Sequence, residues 1–291
     1  FPCLTDAMFL RRPFALPKSA ALPRTVVVLG LVSLLNDASS EMITPLLPIF
    51  LTATLGAGPA IVGLVEGLAE ATSSVLKLIA GRLADRGVDA KSLVVAGYGL
   101  SNATRPLIGL AAAWSSVLLL RFLDRVGKGF RTAPRDALIA GATLAADRGR
   151  AFGFHRSMDH AGAVIGPLLA FALLSLQVDL KHVFLASIVP GLLVLLLLTF
   201  GLPPGQPFVA PPRASFSWRS LHGRLRAMIL AAGWLALASV PEAFVVLWAI
   251  GAGLSVHWVP LVWAAASLAK MVIAMPAGIV SDRLGRIPVL L

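Results

Sequence analysis

The chain has 291 residues, of which 57% are hydrophobic and only 13% charged, with a mean hydropathy of +0.86. A soluble domain carries about 25% charged residues, so this composition excludes an ordinary water-soluble globule and points to a surface that faces lipid. A net charge of +11 would indicate a nucleic-acid partner in a soluble protein, but basic loops that orient a membrane protein explain the same cations, and no nucleic-acid partner is expected.

Cys3 is the only cysteine, which rules out an internal disulfide and any Cys-based metal site. The chain opens on Phe1 rather than Met, and residues 1–24 read as a basic cytoplasmic N-terminal segment with Arg11, Arg12, Lys18 and Arg24. Apolar windows follow at 25–52, 60–80, 92–113, 116–142, 152–176, 182–200, 228–250 and 257–280. Each is long enough to cross a bilayer as a helix, so an all-α polytopic membrane protein with eight spans is expected.

The connections at 52–59, 113–115 and 251–256 hold no Lys or Arg, and the one after the fifth window holds only Lys181. The alternate set is basic, with Arg82, Arg86 and Lys91, then Arg148, Arg150 and Arg156, then Arg213, Arg219, Arg224 and Arg226, and finally Arg283 and Arg286. The positive-inside rule places that set and the N-terminus in the cytoplasm. The multi-pass chain is accordingly assigned to a plasma membrane, the bacterial inner membrane, with the lipid bilayer as its surroundings. Residues 201–226 hold five prolines and four arginines and no apolar span. They read as a cytoplasmic linker between a six-helix bundle, 25–200, and the start of a second bundle, 227–291.

The first window carries Asn36, Asp37 and Glu41 near its middle, and Ser33, Asp37, Ser40, Glu41 and Thr44 share one helical face. In the second, Glu66, Glu70, Ser73 and Lys77 repeat the pattern. The fourth window sets Arg121, Asp124, Arg125, Lys128, Arg131, Thr132, Arg135 and Asp136 within an arc of about 140°. Charges at this depth cost a few kcal/mol each and face a cavity or a partner. Asp37, Glu41, Glu66 and Glu70 are the available counter-ions. Two readings stay open: an internal ion-pair network that holds the helices together, or a cavity whose members bind substrate and exchange protons. The fifth window opens with His155, Arg156, Asp159 and His160, expected to pair with the fourth helix or the loop motif rather than to bind a metal. Glu242 and Lys270 are the only charges inside the last two windows.

An internal repeat joins the two parts. Gly81-Arg82-Leu83-Ala84-Asp85-Arg86 closes the second window and Gly278-Ile279-Val280-Ser281-Asp282-Arg283 closes the eighth, while Gly56 matches Gly253 at the same offset. Repeated halves are a common way of building transporters.

With these residues in view the sequence resembles the major facilitator superfamily after about residue 25. Gly-x-x-x-Asp-Arg after helices two and eight is similar to that family's loop motif; the second copy continues as Leu284-Gly285-Arg286, whereas the first departs from it at Gly87–Lys91. Arg121 begins a stretch similar to the helix-four motif, and Gly162-x-x-x-Gly166-Pro167 partly matches a helix-five motif associated with antiporters, a spacing that also lets two helices pack closely. The resemblance implies a bundle with the complete first half and two helices of the second, the remaining four falling beyond Leu291. It implies a monomeric, proton-coupled transporter of a small-molecule substrate, with efflux of a drug-like compound as the leading expectation and transport of an anionic solute as the alternative. The cavity residues would be Asp37, Glu41, Glu66, Glu70, Arg121, Asp124, Arg125 and Lys128. The cytoplasmic gate would be Gly81, Asp85, Arg86, Gly278, Asp282, Arg283 and Arg286. No nucleophile elbow, P-loop or zinc-protease motif is present, so neither an enzyme nor a cofactor is expected. A membrane protein without transport activity, or an inactive fragment, is the remaining alternative.

Overall fold

The computed structural model describes residues 21–85, 88–144, 147–202, 218, 221–238 and 240–284. The described residues form helices joined by short turns, one helix for each apolar window. α1 (Arg24–Ile43) continues past a turn at Thr44 through Leu47–Ile49 and a widened π turn, Phe50–Thr54. Pro45 and Pro48 supply no N–H at that bend, and Thr52 Oγ1 donates to the Pro48 carbonyl at 2.9 Å. α2 (Pro59–Asp85), α3 (Ala90–Leu107), α4 (Trp114–Gly141) and α5 (Arg148–Ser175) follow. α6 comes in two pieces, Leu180–Ala186 and Ile188–Leu196, with the break at Ser187. α7 is likewise split, Gly223–Ala238 and Glu242–Gly251, with Pro241 capping the second piece. Its first turn lies inside the stretch that composition marks as linker. α8 runs Val259–Leu284.

By length and composition four segments qualify as spans: Arg24–Thr54, Pro59–Ala84, Arg148–Ser175 and Leu180–Gly201. The charged stripe on α4 and the break in α7 keep those two helices from qualifying, although each occupies an expected window. Leu78, Val189, Leu192, Leu196 and Phe200 stand exposed on the outside, as an apolar surrounding requires.

The repeat recurs in backbone geometry. Gly56 after α1 has φ +65° and Gly253 after α7 has φ +96°, both in the left-handed region where a helix ends most readily on glycine.

Close crossings rest on small residues. α1 lies along α5, α3 along α4, and α2 along α4, while α6 covers α1 and α3 and α8 packs on α5. At the α3–α4 crossing a Cβ on Gly97 would meet the Gly127 carbonyl at 2.7 Å, and one on Gly127 would meet the Gly97 carbonyl at 2.4 Å. Two apolar clusters fill the ends of the bundle. One gathers Met42, Ile43, Leu47, Phe50, Val62, Val117 and Phe184; the other gathers Val26, Leu29, Val32, Val94, Tyr98, Ile139 and Val194. Between them, at mid-height, lies a polar layer that contains the candidate site.

Candidate functional site

The polar layer is organised by Asp124. Its side chain is fully buried on α4, and Arg105 of α3 donates to its Oδ1 from Nε at 2.9 Å. Arg105 is 2% exposed and also donates from Nη1 to the Asn36 carbonyl (3.1 Å), to Asn36 Oδ1 (3.0 Å) and to Asn102 Oδ1 (3.4 Å). One guanidinium thereby ties α1, α3 and α4 together, its donors shared among a carboxylate, a carbonyl and two amides. Arg121 lies beside it, with Nη2 at 3.2 and 3.3 Å from the two oxygens of Glu66 on α2 and Nη1 at 3.6 Å from Asp124 Oδ2. Arg125 Nε is 4.0 Å from the same oxygen. Deeper along α4, Arg131 donates to Ser101 Oγ at 2.6 Å and stacks 4.5 Å over the Tyr98 ring, and Ser101 Oγ donates to the Asp124 carbonyl at 2.9 Å.

The counter-ions divide differently from expectation. Of the four carboxylates assigned to the α4 stripe, Glu66 alone forms an ion pair with it. Glu41 accepts from Trp263 Nε1 of α8 at 2.9 Å, and Asp37 Oδ1 accepts from Asn36 Nδ2 at 3.0 Å. Asp37 and Glu70 are within electrostatic reach of Lys128, with Arg131 and Asp159 also near Asp37. The groups that open α5 do not pair with the stripe through ion pairs either. Asp159 accepts from Ser33 of α1, from Arg156 Nη1 at 3.3 Å and faces His155 Nδ1 at 3.5 Å. Among the described residues no three of His, Cys, Asp or Glu are grouped to hold a metal ion.

Gly162 and Gly166 sit where α5 touches α1. A Cβ at Gly162 would stand 2.3 Å from the Leu34 carbonyl, and one at Gly166 would stand 2.4 Å from that of Ala38. The helix-five spacing thus forms a packing groove against the very turn that carries Asp37, and Pro167 is buried beside it. Of the loop-motif residues, Gly81 lies on α2 with Ala133 of α4 within 3.7 Å of its Cβ position, and Asp85 ends α2. Gly278, Asp282 and Arg283 fall in the last turns of α8. Arg86 and Arg286 lie outside the described residues, as do the basic N-terminal segment and most of the linker.

A polar cavity of about 230 Å³ opens between the first six helices and the last two. It is lined by Glu41 and Thr44 of α1, His160 and Ala163 of α5, Glu242 of α7, and Trp263, Ser267 and Lys270 of α8. Lys270 is hydrogen-bonded to Glu242 inside it. An apolar cavity of about 250 Å³ adjoins it and shares Glu242, Trp263, Ser267 and Lys270, with Val245, Val246, Val259 and Val262 among its walls. The pair can receive a molecule with one polar and one apolar part.

Arg105, Asn102 and Trp263 escaped the reading from sequence. For Arg105 the signal was present, a lone cation in an apolar window, and by default such a residue is buried against a partner. Trp263 carried none, since nothing in its surroundings says that its N–H meets a carboxylate 222 residues away.

Among the described residues, a bundle made of helices, with charged groups buried inside it and a cavity between two helical groups, has the architecture of a polytopic membrane protein. The Major Facilitator Superfamily model matches residues 29–291, and the chain belongs to that family. It is 33% identical over 276 residues to an uncharacterised MFS-type transporter of Methanocaldococcus jannaschii, covering 92% of this chain and 69% of that protein. Over 151 residues it is 30% identical to the multidrug resistance protein MdtH of Aeromonas hydrophila, which is 52% of this chain and 38% of MdtH. In structure it is similar to an inward-facing, occupied bacterial homologue of the human lysosomal transporter Spinster, with a TM-score of 0.76 at 19% identity, covering 92% of this chain and 63% of the other. The nucleoside transporter NupG aligns with a TM-score of 0.70 at 12% identity over 90% of this chain and 69% of its own.

Proposed function

We propose that the protein is a proton-coupled secondary transporter that exports a small organic, drug-like molecule by alternating access. The observation that carries this reading is the polar cavity, whose walls come from α1 and α5 on one side and from α7 and α8 on the other. A cavity at the interface of two helical groups can be exposed to either side of the membrane when the groups rock, with little change inside each group. Carboxylates within the membrane next to guanidiniums supply groups that can exchange protons as the surroundings change. Glu66 holds such a position through its ion pair with Arg121, and Asp37 and Glu41 lie within electrostatic reach of the α4 arginines, while the Arg105–Asp124 pair serves as the fixed frame. The multidrug resistance protein MdtH, matched over half of this chain, favours efflux and drug-like substrates.

The chain would lie in the bacterial inner membrane as a monomer, with its N-terminus in the cytoplasm and the turns around Asp85 and Asp282 forming a cytoplasmic latch. Gly81, Arg86, Gly278, Arg283 and Arg286 complete that latch.

An anionic solute is the second reading, and a specific residue favours it: Lys270 lines the polar cavity and, although paired with Glu242, keeps 60% of its side chain exposed. The α4 cations favour it less, since Arg121 is held by Glu66, Arg125 faces Asp124 and Arg131 is held by Ser101 and Tyr98.

The test is flux driven by a pH gradient, with the full-length protein in proteoliposomes and a panel of organic cations, neutral drugs and organic anions. Proton movement triggered by one compound supports coupled transport and names the substrate class. Uptake that ignores the pH gradient overturns the coupling and leaves a uniporter.

A further inference from the structure

We propose that Asp124 is a second seat for Arg121, a vacant acceptor onto which the guanidinium transfers when Glu66 takes up a proton. The proposal deepens the proton-coupling reading above and rests on it for the proton, although the geometry stands by itself.

Arg121 touches two carboxylates unequally. It is hydrogen-bonded to Glu66 at 3.2 and 3.3 Å, whereas its contact with Asp124 Oδ2, at 3.6 Å, is an ion pair without a hydrogen bond. Asp124 Oδ2 and Arg121 Nε are both buried and neither has a hydrogen-bond partner. Buried charged groups are seldom left with unused donors and acceptors, because each gives up its hydration without a replacement. Two unused donors lie near this one unused acceptor: Arg121 Nε, whose own Nη1 already stands 3.6 Å from it, and Arg125 Nε at 4.0 Å; Arg121 is the nearer and the one with a second carboxylate to leave. Charge-assisted bonds between such groups settle at about 2.7–2.9 Å, so the transfer needs a shift of about 1 Å.

The two seats differ in what holds them. Asp124 is fixed from behind by Arg105, which is itself bonded to Asn36 and Asn102, and it has no exposed surface. Glu66 has 21% of its side chain exposed, which makes it the more open of the two seats. The other charges around Glu66 are Arg125 and Asp124 on α4, Glu70 one turn along α2, Glu41 on α1 acting through Arg121, Arg105 of α3 behind Asp124, and Glu242 on the piece of α7 that packs against α2. On protonation the Glu66 carboxylate becomes a neutral carboxyl, Arg121 keeps its charge, and only its partner changes.

The transfer acts on one helix pair. α4 remains joined to α3 and α1 through Arg105, and the ion pair between α4 and α2 is released. α2 is also the helix that meets α7: a Cβ at Gly63 would lie 3.2 Å from the Phe244 ring. The released bond therefore lies on the side where the first six helices contact the last two.

The experiment uses Glu66→Gln as a permanent stand-in for the protonated acid, with the full chain in lipid nanodiscs at neutral pH. A structure that resolves side chains, supported by magic-angle-spinning NMR of 15N-arginine, locates the Arg121 guanidinium. The expected result is a hydrogen bond to Asp124 Oδ2 and loss of contact with residue 66. Arg121 still bonded to the glutamine oxygen overturns the proposal. Should E66Q fail to fold, acidifying the wild-type protein replaces it, and an Arg121 that keeps its position through Glu66 protonation, followed by the infrared band of the new carboxyl, is equally fatal. Transfer in E66Q with undiminished pH-driven flux leaves the second seat standing and removes Glu66 from coupling. Flux lost in E66Q with Arg121 unmoved overturns the second seat and leaves coupling intact.

Discussion

Gly162 on α5 and Asp37 on α1 meet at backbone distance, so that a Cβ added to the glycine would stand 2.9 Å from the Cβ of Asp37. The carboxylate nearest the middle of α1 is therefore positioned by the absence of a side chain on its neighbour. Gly162→Ala should force the helices apart and cost about 1–3 kcal/mol, as overpacking does in other cores. Gly166→Ala should behave the same way. Gly153→Ala on the same helix meets nothing within 4 Å and should be neutral or slightly stabilising. Thermal unfolding in detergent measures all three. Equal midpoints for Gly162→Ala and Gly153→Ala would show that α1 and α5 do not depend on this contact.

Arg105 and Asp124 make a different prediction because both are charged and enclosed. Arg105→Met takes from Asp124 the guanidinium hydrogen-bonded to it and leaves it the longer contacts with Arg121 and Arg125, at 3.6 and 4.0 Å, so it should destabilise by about 1–3 kcal/mol. The double variant Arg105→Met with Asp124→Leu removes both charges but also the carboxylate that Arg121 and Arg125 face, so it should recover only part of that loss. Unfolding midpoints for the two single variants and the double variant form the cycle that checks it. A double variant no better than the worse single would mean that the Asn36 and Asn102 contacts, and not the ion pair, hold the three helices.

These pairs also show how far the sequence could be read. The helices follow from windows of apolar residues, because lipid demands that each span satisfy its own backbone. The stripe on α4 is periodic and visible, and Arg121 with Glu66 belongs to the set of charges expected to face inward. The pairing among those charges was not legible, since it depends on how deep each helix sits and how it is turned. Glu41 was assigned to the α4 cations and is bonded to an indole from α8; Asp124 was expected among cavity residues and is sealed by Arg105. Gly56 and Gly253 are the contrary case, where two matched letters gave two matched left-handed turns.

Asp89 starts α3 at the membrane border and accepts from Ser92 N at 2.8 Å, Ser92 Oγ at 2.7 Å and Lys91 N at 3.4 Å. The bonds from Ser92, its hydroxyl first, hold this carboxyl below its usual range. A depressed value in the folded state means that the cap contributes fully above about pH 4, the unfolded value, and is lost as pH falls through the lower folded one. Asp89→Ala should cost about 1 kcal/mol of helix stability at neutral pH. Hydrogen exchange at the first amides of α3 reports it: faster in the variant at pH 7, with the difference shrinking in strong acid.

Trp263→Phe keeps the aromatic ring in the cavity wall and removes the one donor that the Glu41 carboxylate has from α8. Hydrogen bonds to charged groups contribute about 1.5–3 kcal/mol, so the variant should unfold earlier than wild type by that order. Glu41→Gln retains an oxygen that can accept from the indole and should cost less. Comparison of the two midpoints decides whether the bond joins α1 to α8 or merely lies between them.

Lys270 and Glu242 line both cavities, and their side chains are 60% and 56% exposed. An ion pair so open contributes about 0–1 kcal/mol, so Lys270→Ala should leave the unfolding midpoint nearly unchanged. Its effect on substrates should be larger. Without that ammonium the polar cavity keeps Glu41 and Glu242, so organic anions should be transported less well and organic cations as well or better. Competition between a cationic and an anionic probe, measured in wild type and variant, separates the two readings of the substrate. Loss of cation transport with retention of the anion would contradict both the drug-export reading and the role given to the carboxylates.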